Sequence, residues 1–150
     1  MFRAWVIAMA ILIGSAGAAH AAINDALECT LPRAETMRAV QELALAGSNP
    51  LFRMYAPGSA RPFGLTPNYV SVAHDGEDDV VVFALPRSYD HVMVSVLQRR
   101  ALPSCPESFG VRSYCHFADE HASLVIQTDP QNARGTLVSC SFSRSARSNS

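Results

Sequence analysis

The sequence predicts an α+β domain in which two helices pack on an antiparallel sheet of about five strands, stabilised by two disulfides. Three observations carry this expectation: two stretches with apolar residues at helical spacing, five β-branched runs set between turn-forming residues, and an even count of cysteines. A length of 150 residues fits one such domain. The 49% apolar content with a net charge of −1 excludes intrinsic disorder and lacks the basic footprint of a nucleic-acid binder. The twelve basic residues are all arginine, so every mechanism that needs a lysine, from Schiff bases to phosphate-loop chemistry, is excluded.

Residues 1–21 have the three-part form of a secretory signal: Arg3, an uncharged apolar run over 4–13, then small residues ending in Ala19-His20-Ala21. The apolar run is about half the length needed to span a bilayer, so cleavage after Ala21 is expected rather than membrane anchorage. Removing this leader takes the only tryptophan, Trp5, and leaves eleven arginines against thirteen acids. Residues 22–142 then form a single α+β domain, and the Ser/Arg-rich residues 143–150 are expected to be a disordered tail.

The first helix is expected over 32–46, with Met37, Val40, Leu43, Ala44 and Ala46 near one face. Thr30 is its candidate N-cap, and Gly47 with Pro50 is its stop. Residues 48–67 carry four prolines and two glycines and are expected to be a long loop anchored by Phe52, Met54, Tyr55 and Phe63. Two strands at 69–73 and 80–85 flank Asp75-Gly76, a hairpin signal. Ser88 caps a second helix, whose stripe Tyr89, Val92, Met93, Val96 and Leu97 has helical spacing. Arg99 and Arg100 complement the negative end of its dipole. Strands at 111–117, 122–128 and 135–142 complete the order α-β-β-α-β-β-β.

The four cysteines, in a chain expected to be exported, read as two disulfides. If the last three strands form a meander, Cys115 and Cys140 flank the middle one and stand roughly 9–10 Å apart, beyond bridging range. Of the remaining pairings, Cys105–Cys115 with Cys29–Cys140 is preferred, because it closes a short loop and ties the first helix to the last strand.

Two polar clusters are candidate sites. The turn His74-Asp75-Gly76-Glu77-Asp78-Asp79 lacks the alternation of a calcium loop, so Asp75, Glu77, Asp78 and Asp79 are expected to face a partner. Phe52 and Tyr55 are the apolar binding candidates. A four-residue connection would make His116 and His121 cross-strand neighbours, the only candidate metal-ligand pair, although no metalloenzyme spacing is present. There is no nucleophile elbow or other catalytic motif, and no cofactor is expected.

The reading adopted is an exported, periplasmic or secreted, inhibitor- or immunity-like module that acts by binding another envelope or secreted protein, with no nucleic acid and no membrane insertion after cleavage. The alternatives are a cell-envelope structural or assembly factor, and a small metal-dependent hydrolase using His116 and His121.

Overall fold

A computed structural model describes residues 15–75 and 78–143. Its architecture is α+β, with three α-helices and seven strands among the described residues, rather than two and five. The helices are α1 (Ser15–Leu27), α2 (Arg33–Gln41) and α3 (Tyr89–Arg100). The strands are β1 (Leu45–Ser48), β2 (Phe52–Tyr55), β3 (Tyr69–Asp75), β4 (Asp78–Leu85), β5 (Tyr114–Ala118), β6 (Ser123–Asp129) and β7 (Asn132–Ser143). All pairings are antiparallel, in the spatial order β1-β2-β3-β4-β7-β6-β5.

The two added strands come from the segment expected to end a helix and begin a loop. The first expected helix stops at Gln41, and Leu45 pairs with Tyr55 instead of continuing the helical stripe. Asn49 explains the change, because its side-chain oxygen accepts the N–H groups of Leu51 and Phe52 at 2.8 and 3.0 Å. That Asx turn folds the chain back and offers 45–48 a ladder partner, which outweighs the modest helix propensity of a stretch containing Gly47. Thr30 does not cap α2; its hydroxyl donates to the Asp25 carbonyl at 3.0 Å and closes α1 instead. The N-cap position of α2 is Pro32.

The added helix, α1, contains the expected cleavage point. Residues 17–21 are all exposed, whereas Ile23, Ala26, Leu27 and Cys29 are core. Residues 1–14 and 144–150, and with them most of the expected leader and nearly all of the expected tail, lie outside the described residues.

The expected hairpin forms, with Val72 opposite Val81 and His74 opposite Asp79. Ser88 Oγ accepts the His91 N–H at 3.4 Å, and α3 ends on Ala101 in the left-handed region at φ 53°. The core lies between the helices and one face of the sheet, where Phe83, Leu85, Leu124, Ile126, Val138 and Phe142 are buried. Alternate strand positions such as Val80, Val82, Val125 and Ser139 point the other way and are half-buried. Cys29 and Cys140 have Cα atoms 5.7 Å apart, and Cys105 and Cys115 5.8 Å, both at disulfide distance.

A buried carboxylate ties the helical layer together. Glu28, at the end of α1, accepts Arg99 Nε at 2.9 Å and Arg99 Nη2 at 3.2 Å. It also accepts the Phe63 backbone N–H at 2.7 Å. The hydrogen bond and charge of Glu28 hold the Arg99 guanidinium pKa above its ordinary value. Arg100 donates to the Glu28 carbonyl at 2.8 Å, and its guanidinium lies 5.5 Å from the centre of the Phe117 ring. Burial lowers the Arg100 pKa. The arginine pair expected to complement a helix dipole is thus also a clamp between α3 and α1.

Candidate functional site

Between α3 and β5 the chain forms a loop closed by the Cys105 and Cys115 pair, whose Cα atoms are 5.8 Å apart. Its outgoing arm runs against the sheet edge: the His116 N–H donates to the Glu107 carbonyl at 2.8 Å, and the two residues form an isolated antiparallel bridge. Their side chains meet as well, His116 Nδ1 lying 2.8 Å from the Glu107 carboxylate. The tip is a turn over 108–111 in which the Val111 N–H donates to the Ser108 carbonyl at 2.9 Å. Both central residues have positive φ, 51° at Phe109 and 72° at Gly110, as a type I′ turn requires. Glycine adopts that conformation without strain, but for phenylalanine it costs about 1–2 kcal/mol.

The strained residue is also exposed. Phe109 is 67% exposed and Val111 54% exposed. The Phe109 ring is not loose, since its centroid lies 5.7 Å from that of His116 and 6.3 Å from that of Tyr114. The return arm is fixed by the Thr128 N–H, which donates to the Ser113 carbonyl at 3.2 Å. The loop therefore presents two apolar side chains to water at the edge of the sheet.

The residues expected to form sites are placed differently. Asp79 is fully buried, not presented to a partner. It alternates along β4 with Asp78 and so shares a face with Val81 and Phe83. Its carboxylate accepts Arg33 of α2 and lies 2.5 Å from His74 Nδ1, which makes it a buried tie between the helical layer and the hairpin. Asp78 is half-buried on the opposite face, the backbone of Asp75 ends β3, and Glu77 lies outside the described residues. Tyr55 is a core residue at 5% exposure, a correction to its reading as a binding residue. Phe52 is half-buried and lines a cleft of about 350 Å³ between α2 and the β1–β2 turn, together with Met37, Leu51, Arg53 and His74.

His116 and His121 are not cross-strand partners. The register pairs Phe117 with Leu124 and His116 with Val125, leaving His121 exposed in the connection. Burial of Phe117 and Leu124 on one face sets that register; pairing the histidines would shift the strands by four positions and place Phe117 opposite Glu120. Among the described residues no cluster of three or more His, Cys, Asp or Glu side chains could hold a metal ion.

Phe109 and Val111 were not singled out by the sequence. The available signal was Phe-Gly in the middle of a ten-residue interval between cysteines, a turn dipeptide with a large apolar residue at its head. No protein-family model, curated protein or solved structure matches the chain.

Proposed function

We propose that this protein is an exported binding module, inhibitor- or immunity-like in its mode of action, that grips another periplasmic or secreted protein with the Phe109–Val111 tip. The observation that carries the reading is Phe109: 67% exposed, held at φ 51°, and framed by a cysteine pair and a backbone bridge to β5. Strain that is offset by little burial of its own is a mark of a functional segment. An aromatic anchor fixed before encounter loses little entropy on binding, and such anchors dominate protein interfaces.

Export is supported by the leader-like composition of residues 1–21 and by where burial begins. Every residue from 17 to 21 is exposed, and the core starts at Ile23, so removal of the leader takes away no core residue among those described. Two cysteine pairs at disulfide distance are compatible with an oxidising compartment.

The test places a photo-activated phenylalanine analogue at position 109 of the mature chain, in an envelope extract of the source organism. The expected result is a covalent adduct with one protein, suppressed by excess unlabelled chain but not by the Phe109→Gly/Val111→Ser variant. An adduct that the variant suppresses equally well, or no competable adduct, rejects the tip as the contact. Separately, the exported chain is expected to begin at Ala22 and to lack tryptophan emission.

A further inference from the structure

The cleft between α2 and the β1–β2 turn, about 350 Å³ in volume, holds an arginine in an unusual position. Arg53 of β2 stands opposite Val72 of β3, a core residue at 5% exposure, so both side chains leave the sheet on the face that carries the helices. Val72 is covered there, whereas Arg53 is exposed in the cleft. His74 follows Val72 on the same face, and Met37 and Gln41, one turn apart on α2, line the cleft with it. Phe52 and Leu51 of the turn add apolar surface, and Leu51 is 73% exposed.

The charge of Arg53 is unmatched. Elsewhere in the helical layer Arg33 bonds Asp79, Arg99 bonds Glu28, and Arg100 bonds the Glu28 carbonyl. Among the described residues the Arg53 guanidinium makes no hydrogen bond or ion pair, and no Asp or Glu lines the cleft. Asp79, which holds His74, is fully buried and its charge is already balanced by Arg33. The cavity between α1 and α2 is the contrast: Arg38 shares its lining with Asp25, Glu35 and Glu42.

One unmatched cation beside apolar side chains defines the ligand. A guanidinium takes a carboxylate through two parallel N–H bonds, and Gln41 offers a neutral amide donor from α2. A phosphate monoester carries up to two charges and would leave one unbalanced. Small-molecule pockets run from about 300 to 1,000 Å³, so a cleft at the lower end admits one ring or a short chain rather than a lipid tail. We infer that the cleft binds a small monocarboxylate with an apolar body, its carboxylate on Arg53 and its body against Met37, Leu51 and Phe52. The site lies at the β1–β2 edge, the opposite end of the sheet from β5, and so is separate from the Phe109 tip.

The experiment is an amide chemical-shift titration of the exported chain with phenylacetate, phenylacetamide and phenyl phosphate, each to about 20 mM. The expected result is saturable shifts at residues 37–41 and 49–53 with phenylacetate, bound at least about tenfold more tightly than phenylacetamide. Arg53→Gln is expected to weaken phenylacetate by about tenfold or more, and Arg53→Lys by less, because lysine keeps the charge and loses the fork. Amide dispersion without ligand selects the folded variants, and Gln41→Glu, which sets an acid in the lining, replaces either one that fails. No saturable shift, equal binding of phenylacetamide, or undiminished binding by folded Arg53→Gln overturns the inference. Tighter binding of phenyl phosphate than of phenylacetate overturns the assignment to a monocarboxylate.

Discussion

Two phenylalanines in this fold adopt the same rare backbone conformation, and their surroundings are opposite. Phe63, in the 3-10 turn Pro62–Gly64, has φ 54° and is 6% exposed, while Phe109 has φ 51° and is 67% exposed. At Phe63 the strain has an internal return. Its ring joins the core and its N–H donates to the buried Glu28 carboxylate at 2.7 Å, beside Arg99. At Phe109 little burial offsets the conformation, and the loop is held by a cysteine pair and by backbone bonds at Glu107 and Val111. Equal backbone strain thus has a structural cause in one place, and in the other it serves the recognition role proposed above.

The largest expected effect tests the frame beneath Phe63. Replacing Cys29 and Cys140 with alanine opens a link across 111 residues and is expected to lower stability by about 4–5 kcal/mol. The Cys105 and Cys115 pair spans only 10 residues and should cost about 3 kcal/mol. Urea unfolding of the two double variants checks the order, and equal losses would break the distinction between frame and loop.

Phe63→Ala is expected to cost about 3–4 kcal/mol, as for a buried aromatic, measured by the same unfolding curves. Phe109→Gly should leave stability unchanged or raise it by up to about 1 kcal/mol, because the strain it removes offsets the loss of the minor ring contact with Tyr114 and His116. A loss above about 2 kcal/mol there would show that Phe109, too, is structural.

The smallest expected effect lies at alkaline pH. Burial, followed by the charge of Asp129, raises the Tyr69 pKa, and burial with Asp90 raises that of Tyr89. A folded-state pKa above the unfolded value gives stability that is complete below about pH 10 and is lost as pH rises through the folded value. Thermal midpoints are therefore expected to fall above about pH 10, and the fall should lessen in Tyr69→Phe. A midpoint flat through that range would contradict it.

Much of the sheet is legible in the chain because its signals are local. Asp75-Gly76 between two β-branched runs marks β3 and β4, and Ser88 before a stripe of period 3.6 marks α3. β1 and β2 were hidden by their four-residue length and by the glycines and prolines around them, although Asn49-Pro50 is a turn signal. The burial of Asp79 was legible in principle. If Val81, Phe83 and Leu85 point inward, period two sends Asp79 inward as well, and the cluster of acids obscured that parity.

By itself the sequence determined the α+β class, the hairpin, the cap of α3 and, from strand spacing, the argument against joining Cys115 to Cys140. Each follows from contacts between near neighbours or from strand spacing. Only the tertiary structure decided that Asp79 bonds Arg33 46 residues away, that Glu28 gathers Arg99 and Phe63, and that Phe109 is exposed while Asp79 is buried. Burial and charge pairing are properties of residues brought together by the whole fold, and local pattern carries no record of which distant side chain will arrive.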